Sequence, residues 1–213
     1  MVLLTGRSSL VKYCEQHNIA IEDFNDDIEV VEGCSDITGL LEGCESFNSN
    51  ITLPSTVHIL KRMLRNCPNY DRHIMLPAEA LDCSQMFEGC YGFNKPVRLP
   101  PTLRNTFKMF YDCVSLEQPI ELPDGIMIYE GMLTNTVSTP IFKNDTYSSD
   151  RLFKELEDDE DDDLFDDVYQ LEDIPDQCAP KIEELRPPKQ KSTLWWHRPK
   201  TKNVKVNHNT QSK

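Results

Sequence analysis

Cys14 and His17, three residues apart in the string CEQH, are the first residues whose types and spacing could do chemistry. On a helix they would offer a thiolate and an imidazole to one metal ion, but a zinc site needs a second pair and the chain supplies no matching one. The carboxylates from Asp158 to Asp163 could attract calcium, yet they lack the glycine turn and ordered ligand spacing of a calcium loop. No glycine-rich phosphate loop is present, and no HExxH, GxSxG or CxxC. The expectation is therefore a protein without catalytic residues, bound metal or cofactor.

The eight cysteines point to architecture instead. Cys44, Cys67, Cys90 and Cys113 follow one another at a step of 23 residues. Other columns keep the same step: Met63, Met86, Met109 and Met132; Ile51, Ile74, Val97 and Ile120; Phe24, Phe47, Tyr70 and Phe93, ending in Leu116. The pairs Leu53-Pro54, Leu76-Pro77, Leu99-Pro100 and Leu122-Pro123 obey it too. A fixed period of this length marks tandem units, each of which buries its apolar side against its neighbours. Residues 24–138 read as five such units, the first of them worn. Cysteines in apolar columns are expected to be buried free thiols, not a disulfide framework.

Within a unit, Ile51 and Leu53, Ile74 and Leu76, or Val97 and Leu99 stand two apart, which predicts a short strand with both side chains facing inward. Proline closes it, having no N–H to give to a ladder. Beyond the proline, Val57, Leu60 and Met63-Leu64 have the spacing of a helical or 3-10 turn on an opposite wall. The Asn25, Asn48, Asp71, Asn94 and Glu117 column reads as turn residues.

The 23-residue step, the strand ending in Leu-Pro and the F-x-x-C-x-x-(F/L) element resemble the BspA-type, or Treponema-type, leucine-rich repeat. The string MFEGCYGFNKPVRLP at 86–100 is also similar to the MF-x-x-C-x-x-FN repeat of bacterial and phage surface proteins. The expected fold class is then a leucine-rich-repeat-like solenoid with one short strand and one helical or 3-10 turn per coil. The resemblance implies a scaffold for recognition or adhesion, with no catalytic centre of its own.

The expected organisation is an N-terminal helical cap over 1–23, the repeat body over 24–150, and a largely disordered tail over 151–213. In the cap, Ser8 or Ser9 would start a helix, Leu10, Tyr13, Cys14 and His17 would share a face, and Asn18 would end it. STPIF at 138–142 would supply a last strand. The formal net charge is −14. Counting Lys and Arg against Asp and Glu, residues 1–150 carry 11 against 21, residues 151–176 two against 13, and residues 177–213 nine against two. So acidic a body should repel nucleic acid. MVLLTGRSSL is too short an apolar run for a signal peptide and no membrane span is visible, so a cytoplasmic, reducing setting is expected.

Recognition is expected at positions that vary between units. The column between the inward strand residues reads Glu29, Thr52, Met75, Arg98, Glu121, and is the first candidate for binding a protein partner. A second mixed column is Glu42, Arg65, Glu88, Tyr111, Thr134. In the tail, Leu164, Val168 and Leu171, with Phe165 and Tyr169 beside them, would form one apolar stripe if helical on a partner. Trp195-Trp196 among lysines and arginines suggests a further docking element, on the protein's own acidic parts or on a protein partner, with single-stranded nucleic acid the lesser alternative that the acidic chain disfavours. The function so implied is a non-enzymatic protein-binding scaffold of unknown oligomeric state. Its rivals are a structural or accessory part of a larger assembly, such as a virion, and an acidic mimic that occupies nucleic-acid-binding proteins.

Overall fold

The computed structural model describes residues 1–142 and 147–155. Along the chain it contains β1 (Val2–Leu4), α1 (Arg7–His17), a 3-10 turn (Ile21–Asp23), β2 (Ile28–Val30), β3 (Ile51–Thr52), β4 (Ile120–Glu121), β5 (Pro140–Ile141) and α2 (Ser149–Leu152). The strands form two separate parallel sheets, β1-β2-β3 and β4-β5. Ile28 pairs with both Val2 and Ile51, and Ile120 pairs with Pro140.

This arrangement overturns the expected leucine-rich-repeat-like solenoid with a strand and a helical or 3-10 turn in every coil. Residues 74–76 and 97–99 form no strand, so the two sheets are not joined. Opposite the strands the chain forms turns, and the 3-10 turn at Ile21–Asp23 lies outside them. Of the tail expected over 151–213, Arg151 and Leu152 belong to α2 and Leu152 is buried, while residues 156–213 lie outside the described residues.

The reason lies in how the turn wall spends its amide hydrogens. Ile37, Gly39, Leu41 and Gly43 donate to the carbonyls of Ile59, Lys61, Met63 and Arg65 in the next unit, at 2.8–3.0 Å. The intervening Leu40, Glu42 and Cys44 donate within their own unit to Ile37, Gly39 and Leu41. The pattern repeats from Leu60, Cys83 and Thr106, and after it Gly131 and Leu133 donate to Arg151 and Leu152 of α2. A helix would return each interior N–H to the carbonyl four residues back. Here alternate N–H groups leave for the neighbouring unit, which needs two residues per unit in the left-handed region.

Those residues are Gly39, Arg62, Gln85, Lys108 and Gly131 in one column, and Gly43, Asn66, Gly89, Asp112 and Asn135 in the other. Glycine, Asn and Asp tolerate that region; Arg, Gln and Lys give up roughly 1 kcal/mol each to enter it. Side-chain contacts offset the cost. Arg62 Nε donates to Gln85 Oε1 at 2.8 Å, and Lys108 Nζ lies 5.6 and 5.2 Å from the Phe107 and Tyr111 ring centres. At Gly89 the requirement is doubled: φ is +72°, and a Cβ there would sit 2.6 Å from Asn66 Oδ1.

The strand segments have no comparable hold. They are two or three residues long, and β3 and β4 run into Leu-Pro pairs whose prolines cannot donate. No backbone hydrogen bond joins 74–76 or 97–99 to a neighbouring unit among the described residues.

Between the two walls the columns become ladders. Phe24, Phe47, Tyr70 and Phe93 stack at 5.8–6.0 Å with rings within 13° of parallel, and Phe87 and Phe110 form a second row beside them. Each aromatic pair contributes about 0.5–1.5 kcal/mol beyond burial. Cys14, Cys34, Cys44, Cys67, Cys83, Cys90 and Cys113 are free and buried. Cys67, Cys90 and Cys113 donate their thiols to the carbonyls of Leu41, Leu64 and Phe87, each at 3.1 Å. Burial pushes the Cys44 thiol up to about 11 and the Cys67 and Cys90 thiols well above their usual range. These thiols pack units together and are poor nucleophiles.

At the N-terminal end α1 covers the first unit with buried Leu10 and Cys14, and Tyr13 meets Phe24 edge-on. Tyr13 is half-buried, and His17 of the expected face is exposed. The helix starts at Gly6, not at Ser8 or Ser9, because Ser9 Oγ turns back to the Thr5 and Gly6 amides; Asn18 ends it in the left-handed region. β1 was not foreseen: Val2–Leu4 adds a rung in front of the first unit.

Tyr70 alone in its ring column carries a hydroxyl. The group is buried without a partner, and burial raises its pKa. Tyr70→Phe removes an unsatisfied polar group and is expected to raise unfolding stability by about 1 kcal/mol in urea titrations at neutral pH. Unchanged or reduced stability would mean that the hydroxyl is satisfied.

Candidate interaction surface

The strand wall presents the first candidate column. Glu29 and Thr52 are registered partners on β2 and β3, and Glu121 lies on β4. Met75 and Arg98 occupy the same slot in the two central units, where no strand forms. Thr52, Met75, Arg98 and Glu121 are exposed, Met75 at 89%, and Glu29 is half-buried. Beneath them Ile28, Ile74, Val97 and Ile120 are buried, so the in-out alternation holds even where the ladder does not. Strand pairing adds two members that the period concealed: Leu3, opposite Glu29, and Ile141, opposite Glu121, both exposed.

The second mixed column is tied up within the protein. Arg65 lies between Glu42 and Glu88, with ion-pair distances of 3.7 and 3.2 Å. Thr134 is buried and donates to the Lys154 carbonyl at 2.7 Å. The tail candidates Leu164, Phe165, Val168, Tyr169, Leu171, Trp195 and Trp196 lie outside the described residues.

What aims the strand face is the polar column just before it. Asn25 Oδ1 accepts from the Asn48 amide at 2.7 Å, Asn48 Oδ1 from Asp71 at 3.1 Å, Asp71 Oδ1 from Asn94 at 2.9 Å, and Asn94 Oδ1 from Glu117 at 3.0 Å. Residues that read as separate turn formers are thus a continuous ladder, each side chain fixing the turn of the following unit. The clue was present: an oxygen acceptor at one slot in four successive units is more than a turn requires.

Among the described residues no group of three or more His, Cys, Asp or Glu is placed to hold a metal ion. None of the described helices is long and apolar enough to cross a membrane. A family model described as "Mycoplasma protein of unknown function, DUF285" matches residues 7–98 and again 35–124, together 118 of the 213 residues. The chain belongs to this family. Two overlapping matches follow from the repeat itself, since one model fits the tandem units in more than one position. No curated protein and no solved structure matches the chain. The DUF285 description names no activity.

Asp71 gives the ladder a pH dependence. Burial pushes its carboxyl up, but Lys95 Nζ at 2.5 Å and the Asn94 amide outweigh this and hold it below the ordinary carboxylate value. A lowered folded-state pKa stabilises above the unfolded value near 4 and is lost as pH falls through the folded value. The carboxylate side chain is 37% exposed, so after solvent screening the pair contributes at most about 1 kcal/mol. Asp71→Asn should therefore be less stable than wild type at pH 7 by up to that amount, with the difference closing as pH falls below the ordinary carboxylate range. Unfolding curves measured across that range test this; a gap that persists in acid would assign the effect to packing.

Proposed function

We propose that this DUF285 chain is a non-enzymatic protein-binding module whose contact surface is the strand face around Met75 and Arg98. The observation that carries the reading is Met75, an almost fully exposed methionine in the middle of the column, on a wall whose inward neighbours are all packed. Methionine adapts its shape to apolar partners, and arginine one rung away adds a planar donor. Both types are enriched at protein interfaces. Glu29, Thr52 and Glu121 flank this centre with polar groups, and Leu3 and Ile141 end the column with one apolar residue each. Residues Leu164 to Leu171 of the tail are a second contact for the same or another partner.

The test is affinity capture from host cells with the full chain, in wild-type form, as Met75→Ala/Arg98→Glu, and as Leu164→Ala/Leu171→Ala. The strand-face variant is expected to weaken binding of the captured partner at least about tenfold, or ~1.4 kcal/mol. Binding unchanged by it would contradict the proposal, and loss only in the tail variant would move the contact there.

A further inference from the structure

A different corner of the molecule carries a graded stripe. Glu22, Glu45, Pro68, Tyr91, Val114 and Val137 stand at successive steps of 23. Hydrogen bonds confirm that they share one column: the carbonyls of Glu22, Pro68 and Tyr91 accept from the amides of Ser46, Gly92 and Ser115, and that of Glu45 from Asn69 Nδ2. In the last unit the Thr136 amide donates to Leu133 as Cys113 does to Phe110, which sets Val137 in the slot of Val114. Glu22 and Glu45 are exposed, and so are Tyr91 and Val114 at 51% and Val137 at 62%. The column is acidic at one end and apolar over three consecutive units at the other.

We infer that the Trp195-Trp196 segment of the same molecule docks on this stripe. The segment has the complementary composition: two large aromatic side chains for Tyr91, Val114 and Val137, flanked by Lys189, Lys191, Arg198 and Lys200 for Glu22 and Glu45. The described chain also leaves from the right place. The Lys154 carbonyl is held by Thr134, three residues before Val137. Trp195 lies 40 positions beyond Glu155. Forty residues can span at most roughly 130–140 Å, which is ample reach to the stripe. Charge favours the pairing overall, since residues 177–213 carry nine basic and two acidic groups against the 11 basic and 21 acidic of residues 1–150. The stripe shares no residue with the strand-face column that holds Met75 and Arg98.

Trp195 and Trp196 are the only tryptophans, so fluorescence excited through tryptophan in the full chain reports on this segment alone. Docking predicts emission at shorter wavelength, and weaker quenching by acrylamide, than in a peptide spanning 187–205. Both should move to the peptide's values in Tyr91→Glu/Val114→Glu and stay put in Met75→Glu. Far-UV circular dichroism shows that the double variant is folded, and Val137→Glu alone serves if it is not. Rising salt should shift the emission toward the peptide's value. Emission equal to the peptide's in wild type, emission indifferent to both stripe variants, or a shift that depends on protein concentration would each overturn docking within one molecule on this surface.

Discussion

Everything in the described structure depends on one backbone exchange: alternate amide hydrogens of the turn wall cross to the carbonyls of the next unit. Four such bonds per unit set the spacing, and the Phe, Cys and Asn columns fall into line because that spacing repeats. A typical intramolecular hydrogen bond nets only about 1 kcal/mol, but a buried amide left unpaired costs more than that, so the pattern is hard to leave once formed. The isolated bridges from Asp36 through Ile59, Asp82 and Asn105 to Ile128 run along the same wall.

The two walls consequently differ in kind. The turn wall is bonded through every unit, and its outward residues Gln85 and Lys108 are buried against their neighbours. The strand wall is bonded only at its ends, and its outward residues in the central units are exposed. Buried Asp82 belongs to the first kind: burial pushes its carboxyl up, while hydrogen bonds from Ser84 and Asn105 partly counter this. The proposed contact surface is thus the wall that the backbone exchange leaves open.

The inner columns were legible because a period of 23 is independent of the local conformation that repeats. Phe47, Cys67, Met86 and Val97 could be assigned to the interior from spacing alone. The conformation itself was not legible. Arg62, Gln85 and Lys108 carry no sign of a left-handed backbone, and Leu60 with Met63-Leu64 has the spacing of a helix as well as of a turn. The strands at 74–76 and 97–99 failed for a related reason: alternation fixes which side chains point inward, but ladder bonds depend on a spacing set by the other wall. Val2–Leu4 was missed because its rung lies 26 residues from Ile28, off the period. Of the candidate surface, the column from Glu29 to Glu121 was readable, and its extension by Leu3 and Ile141 needed the strand pairing.

Native-state amide hydrogen exchange measured residue by residue tests the central claim most directly. The amides of Leu41, Leu64, Phe87 and Phe110, which cross between units, should exchange only through global unfolding. Those of Met75 and Arg98 should exchange orders of magnitude faster. Equal protection on the two walls, or stronger protection at Met75 and Arg98, would mean that the strand wall holds the units together and would contradict the account.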